Sequence, residues 1–195
     1  RRLGEANIKV KKADPALGRI LDLVKTREAE GYSYDTAQAS FELLARRELG
    51  LFPVFFEVKR YKVSIERRKN KYNRIVSLSE AVVVVRINGE KKMSVSESMD
   101  EFGNDRGPVN ALSKALAKDL GPYQGIIDDM NLIDYKVRIT QGGTEAVTRV
   151  VIDCEDSKGN CWSTVGVSAN IVDASFEALL DAINWKLIRD TETIA

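Results

Sequence analysis

There is no histidine among the 195 residues of this chain, and cysteine occurs only twice. The first absence removes the side chain that most often acts as a general base near neutral pH and most often ligates a transition metal. Cys154 and Cys161 cannot make a zinc site by themselves. They flank the turn Asp156-Ser157-Lys158-Gly159-Asn160, where a hairpin would set them face to face. We read them as reduced cytosolic thiols, with a disulfide as the alternative for a secreted chain. Charge of one sign is lacking too: Lys plus Arg is 30, Asp plus Glu is 29, and the net charge is +1. Nothing global draws such a chain to nucleic acid or to a membrane surface. No apolar run reaches the roughly 18 residues of a transmembrane helix. The start, Arg1-Arg2-Leu3-Gly4-Glu5, has no initiator Met and no apolar signal core, and we read it as the interior of a longer, cytoplasmic protein. Nucleophile elbow, phosphate loop and metal-ligand spacing are all missing, so no catalytic residue, metal ligand or cofactor is expected in this chain. Asp128-Asp129 and Glu155-Asp156 read as turn residues, and Trp162 and Trp185 as core or interface anchors.

What is present is a motif written twice. Tyr61-Lys62-Val63 recurs as Tyr135-Lys136-Val137, Glu80-Ala81-Val82 as Glu145-Ala146-Val147, Val95-Ser96 as Val167-Ser168, and Ala111-Leu112 as Ala178-Leu179. The spacing between partners drifts only slightly, as a duplication with loop insertions would produce.

Residues 1–50 carry helical signals. Asp14-Pro15 is an N-cap followed by proline at the first helical position; Leu17, Ile20, Leu21 and Val24 follow at helical spacing, and Gly31 closes the helix. Asp35 is expected to start a second helix, with Ala39, Leu43 and Leu44 on one face and Gly50 as its stop. From Phe52 the period changes to two. Tyr61, Val63 and Ile65 alternate with polar residues, Ala81 to Ile87 is a near-continuous β-branched run fit for a central strand, and Asn88-Gly89 signals a type I′ hairpin. Met93 and Val95 point outward in a third strand, and Gly107-Pro108 opens a helix carrying Val109, Leu112, Ala115, Leu116 and Leu120. The second copy repeats the order. Ile133, Tyr135, Val137 and Ile139 are expected to form a buried strand face, and Gln141-Gly142-Gly143 a tight loop. Ala146 to Cys154 and Cys161 to Val167 follow as strands, and Asn170 to Asp173 as a capping box before a helix presenting Phe176, Leu179, Leu180, Ile183 and Leu187. The expected architecture is α+β: a helical hairpin over residues 1–50, then a domain over 51–195 holding βββα twice, as 52–121 and 130–189, with pseudo-two-fold symmetry. Three strands and one helix cannot cover both faces of a sheet, so the copies are expected to pack together and the product to dimerise.

Two features offer chemistry. The helix N-termini reached through Gly107-Pro108 and Asn170 present free backbone N–H groups that suit a carboxylate, beside apolar strand residues that suit a small aliphatic side chain. The bland alternative is that these residues only start helices. The segment Arg67 to Arg74 is a basic loop that either touches RNA phosphates or is simply solvated.

Several stretches together resemble a known family. They are Glu30-Gly31-Tyr32, Ala39-Ser40-Phe41-Glu42-Leu43-Leu44, Gly107-Pro108-Val109-Asn110-Ala111-Leu112, Asp134-Tyr135-Lys136-Val137-Arg138-Ile139, and Gly166 through Ser175. Across most of its length the chain resembles the C-terminal part of the 2-isopropylmalate synthase and citramalate synthase family. Glu30-Gly31-Tyr32 and Val165-Gly166-Val167-Ser168 look closer to the citramalate branch. The resemblance implies a fragment of an acyltransferase that joins acetyl-CoA to a 2-oxo acid in a metal-dependent (β/α)₈ barrel, a divalent metal belonging to that absent barrel. It further implies a linker over residues 1–50 and a duplicated βββα homodimer. This dimer would bind the end-product amino acid, isoleucine or leucine, and inhibit the barrel. Effector contacts carried over residue by residue are Gly107, Pro108, Asn110, Ala111, Ile133, Tyr135, Ile139, Ala146 and Ile171. One departure is visible: the family's Gly-x-Gly-Pro turn is here Gly103-Asn104-Asp105-Arg106-Gly107-Pro108, two residues longer. The implied partners are the amino acid, a second copy of the chain and the barrel, with no nucleic acid and no membrane. Competing readings are a structural dimerisation domain without effector, and an RNA-binding module using residues 67–74.

Overall fold

The computed structural model describes residues 4, 8, 14–100, 107–141 and 146–194. Residues 103–106 of the lengthened Gly-Pro turn, the Gly142-Gly143 tip and Glu145 of the repeated motif lie outside these. The described chain is α+β, with two antiparallel three-stranded sheets, each carrying a helix. It divides into two compact units: Arg1–Pro53 together with Asp129–Ala195, and Val54–Asp128.

The contiguous unit, Val54–Asp128, contains β1 (Glu57–Lys69), β2 (Ile75–Ile87) and β3 (Glu90–Asp100), in the order β1-β2-β3. The β-branched run is central, as its lack of polar positions predicts. Asn88 and Gly89 both take positive φ, +51° and +84°, the requirement of the type I′ turn read from the sequence. Helix α1 (Pro15–Ala29) and α2 (Gln38–Glu48) belong to the other unit; here α3 (Pro108–Ala117) lays Ala111, Leu112, Ala115 and Leu116 on Ala81, Val83 and Val85 of β2, and the short α4 (Gln124–Ile127) follows it. The basic segment is not one loop. Arg67, Arg68 and Lys69 pair with Ser77, Val76 and Ile75 inside the ladder, so their side chains alternate between sheet faces. Asn70 closes the turn early, its side-chain oxygen accepting from the amides of Tyr72 (2.9 Å) and Arg74 (3.1 Å).

The discontinuous unit holds β4 (Met130–Gln141), β5 (Val147–Asp156) and β6 (Cys161–Ser168), in the order β4-β5-β6, and the long helix α5 (Ile171–Ile194). Helix α5 runs over β5 and β6 so closely that a Cβ on Gly166 would lie 1.9 Å from the Ala174 carbonyl oxygen. Here glycine is demanded by proximity alone. The opposite face of β6 is covered by the N-terminal hairpin: Val165 joins Tyr32, Tyr34, Phe41 and Leu44 in one apolar cluster. Helix α1 opens as the sequence predicts, the Asp14 carboxylate accepting from the Ala16 amide at 2.9 Å. Helix α2 begins later than Asp35, because residues 33–37 fold into a turn first; the Thr36 hydroxyl donates to the Ser33 carbonyl at 3.2 Å. Every residue from Ala39 to Arg46 is buried, so the charged ones must be paired. Glu42 accepts from Arg46 (3.0 Å), Trp185 Nε1 (2.9 Å) and Arg189 (2.9 Å), while Arg46 also grips both Glu192 oxygens.

The duplication is real but its register differs from the one that motif matching suggests. Val63 stands opposite Ala81, and its counterpart Val137 stands opposite Val150, not Ala146. Ala81 in turn faces Ser96, and Val150 faces Gly166. Aligned on Tyr61-Lys62-Val63 and Tyr135-Lys136-Val137, the Glu-Ala-Val and Val-Ser matches therefore fall a few residues out of step. The cysteines also sit out of register. Cys154 pairs with Trp162 and Cys161 with Glu155, so they are one rung apart and both are free thiols, Cys154 buried and Cys161 exposed. Burial pushes the Cys154 thiol up to about 12, which leaves it inert at neutral pH.

Candidate functional site

In the discontinuous unit the predicted buried face of β4 is open. Tyr135, Val137 and Ile139 face the same side as Ile152 and Val150, but α5 packs mainly on β5 and β6. Ile133 is 51% exposed, Val137 41% and Ile139 70%, a row of apolar side chains left open by the described residues.

Tyr135 is the member of this row tied to the helix. Its hydroxyl lies 2.7 Å from Ser175 Oγ, and Ser175 donates to the Ile171 carbonyl at 2.5 Å. Tyr135 and Ile171 are thus brought to one place, the start of α5, with the Ile171 side chain 44% exposed. That helix end is partly self-satisfied: Asn170 Oδ1 accepts from the Val172 amide (2.9 Å), and the Asn170 amide donates to Ser168 Oγ (3.1 Å). Ser168 therefore fills the role that a capping box would give to the residue at Asp173. Ile133 sits in a bulge between Leu132 and Asp134. Ile139 lies farther along β4, roughly 20 Å from Ile133 at the rise of an extended strand. Ala146 immediately precedes β5 and is half-buried.

In the contiguous unit, Gly107, Pro108, Asn110 and Ala111 form the first turn of α3. Gly107 is the N-cap in an extended conformation, and no side chain among the described residues caps the helix. The uncapped turn keeps a concentration of positive partial charge. Gly107 and Pro108 are half-buried and Asn110 is exposed, while Ala111 is fully buried in the core. The open strand of this unit is β1, where Ile65 is 58% exposed.

Sequence reading missed one charged assembly. Lys186, only 1% exposed, reaches Asp156 (2.7 Å), Asp129 (3.2 Å) and Asp190 (3.0 Å). Burial alone would lower the pKa of this ammonium, but the hydrogen bonds it donates to the three carboxylates raise it above the ordinary value. Burial would raise that of Asp156, but the bonds from Asn160 and Lys186 hold it well below the ordinary range. Asp156 also accepts from the Lys158 (3.0 Å) and Asn160 (2.9 Å) amides, so it orders the turn and the helix together. The only local trace of this was the i,i+4 pair Lys186 and Asp190. Among the described residues no group of three His, Cys, Asp or Glu is placed to hold a metal ion, and no helix is long and apolar enough to cross a membrane.

Comparison with known proteins gives this geometry a setting. The profile of the LeuA allosteric (dimerisation) domain matches residues 35–187. The chain is 41% identical over 190 residues to the (R)-citramalate synthase of Geobacter sulfurreducens, covering 96% of this chain and 34% of that protein. It is 39% identical over 193 residues to the (R)-citramalate synthase of Aquifex aeolicus, covering 98% and 34%. It is 29% identical over 189 residues to the 2-isopropylmalate synthase of Clostridium kluyveri, covering 97% and 31%. The chain spans about a third of the length of these curated relatives.

Proposed function

Because the chain belongs to the LeuA allosteric (dimerisation) domain family, on the citramalate synthase side of it, we propose that it dimerises and binds a branched-chain amino acid, isoleucine by preference. In this reading the amino acid acts as a feedback inhibitor of an acyltransferase that condenses acetyl-CoA with a 2-oxo acid in the cytoplasm. The observation that carries the proposal is the open apolar face of β4 ending at the Tyr135–Ser175–Ile171 link. An aliphatic side chain would lie against Ile133, Tyr135 and Ile171. In the contiguous unit, taken by itself, the first turn of α3 at Gly107, Pro108 and Asn110 carries the partial positive charge that suits an anion. Ile139 is too far along the strand from Ile133 to touch the same amino acid, and serves the contact between copies. Regulation requires that the ligand favour one of two states of the dimer, with the preference passed to the barrel through α1 and α2.

Calorimetric titration with isoleucine, leucine and valine, with alanine as control, tests the effector, and light scattering tests the dimer. Saturable binding of isoleucine over leucine supports the proposal. A folded dimer that binds none of the four leaves the second reading, dimerisation without effector. That reading draws on Ala111, whose burial in the core of its own unit leaves it no surface for a ligand.

A further inference from the structure

On the face of the β4-β5-β6 sheet away from α5 lies a cleft of about 470 Å³, floored by Lys136, Arg138, Arg149, Asp153 and Ser163 and walled by Ser33 and Thr36. We propose that this cleft is a second ligand site, for a small dianion whose phosphate or carboxylate oxygens sit between Arg138 and Arg149. It does not depend on the amino-acid site.

The central observation is the register. Arg138 and Arg149 stand directly opposite each other on adjacent antiparallel strands. Like charges in that relation destabilise a sheet. The first copy handles the equivalent rung differently: Ser64 stands opposite Glu80, and the Ser64 hydroxyl donates to the Glu80 carboxylate at 3.4 Å. The second copy thus carries two cations where the first carries a hydrogen-bonded hydroxyl and carboxylate. Arg149 is also held in place. Its Nε donates to the Gly31 carbonyl, just past the end of α1, which aims the rest of the fork at the cleft. Burial and the neighbouring Arg138 both push the Arg149 guanidinium below its ordinary value. The one acidic group on the floor, Asp153, is already engaged by Lys136 (2.8 Å) and the Ser163 hydroxyl (2.5 Å). Two guanidinium forks side by side match two oxyanion groups or one doubly charged one. The hydroxyl of Ser33 at the rim can donate to a further oxygen. A concave site walled by the turn between α1 and α2 fits a small molecule and excludes a duplex.

The test is calorimetric titration of the chain at low ionic strength with pyrophosphate and with malonate, acetate serving as the monoanion control. The expected result is saturable binding of at least one dianion, weakened tenfold or more by Arg138→Gln and by Arg149→Gln and unaffected by Lys62→Gln on the first copy. Preference for pyrophosphate identifies a phosphate ligand, and preference for malonate a dicarboxylate; either supports the site. Arg149→Gln also loses the bond to Gly31, so Arg138→Gln, on an exposed residue, is the deciding variant. It is further expected to raise the melting temperature in anion-free buffer while abolishing the rise that pyrophosphate gives the unmodified chain. No saturable binding of either dianion, or binding undiminished in Arg138→Gln, overturns the proposal. So does tighter binding of a single-stranded oligonucleotide than of pyrophosphate, which would mark the surface as a nucleic-acid contact.

Discussion

Lys186 Nζ lies 2.7 Å from Asp156 Oδ2, with the two side chains 1% and 2% exposed. The pair ties the end of β5 to the middle of α5, and Asp129 at the entry to β4 completes the same knot. A buried charge of this kind is costly to strand. Lys186→Met should leave three carboxylates without their shared cation and destabilise the discontinuous unit by about 3 kcal/mol or more. Urea unfolding followed by tryptophan fluorescence would measure it, since Trp162 and Trp185 stack at 5.1 Å in that same unit. A loss below about 1 kcal/mol would mean the carboxylates relax into water.

The same knot sets the response to acid. Asp156 titrates below its ordinary value in the folded chain, so the stability it contributes is present above the unfolded value of 3.8 and is lost as pH falls through the lower, folded value. Lys186 titrates above its ordinary 10.5, so its contribution is complete below 10.5 and is lost only as pH rises beyond that. Stability from this cluster should therefore be flat through the neutral range and fall below about pH 4. Urea midpoints of the unmodified chain and Asp156→Asn, compared from pH 7 downward, check it; equal acid slopes in the two would refute the assignment.

Gly166→Ala places a methyl where the Ala174 carbonyl already sits. Neither partner is a flexible side-chain tip, so β6 and α5 must separate. Destabilisation of about 3 kcal/mol is expected, at the upper end for overpacking, with a matching drop in melting temperature. Ala substitution at Gly18, where a Cβ meets nothing within 4 Å and the backbone is helical, should be neutral or slightly stabilising.

Ile139→Asp tests what covers β4. The side chain is 70% exposed in the single chain, so the substitution should leave the fold and its circular dichroism unchanged. If the open face is the seam between two copies, light scattering should show the dimer shifted to monomer, by at least tenfold in dissociation constant. An unchanged dimer would place the seam elsewhere.

Tyr135→Phe and Ser175→Ala each remove the hydroxyl link to the start of α5 while keeping the apolar bulk. Isoleucine affinity should drop about fivefold to tenfold, the worth of one lost hydrogen bond, without loss of the dimer. An unchanged affinity would remove Tyr135 from the effector site.

Local chemistry made much of the fold legible. Asp14-Pro15, Asn88-Gly89 and Gly107-Pro108 each fix a backbone conformation within two or three residues, and each does in the structure what its residues dictate. Ala81 to Ile87 had to be central because an edge strand does not tolerate so few polar groups. What was illegible depends on distance. The open face of β4 has the same alternation as a covered one, since period two reports a face and not what lies on it. Lys186 reads as one surface charge on an amphipathic helix, because Asp129 and Asp156 stand far from it in sequence. Arg138 and Arg149 become neighbours only once the β4-β5 register is known, and that register runs against the Glu-Ala-Val match that first drew attention to the repeat.

The division of the chain carries a further consequence. Val54–Asp128 is continuous, while the other unit joins Arg1–Pro53 to Asp129–Ala195. During synthesis the continuous piece has all its strands and its helix available before β4 has left the ribosome. The hairpin of α1 and α2, made before this piece, must wait for β6 and α5 before Val165 and Trp185 can cover Phe41 and Glu42. Short-range pairing forms quickly and closure over long separations forms late. This part of the chain is thus expected to mature from its middle outward, with the α1–α2 hairpin finding its place only after the strands and helix made long after it.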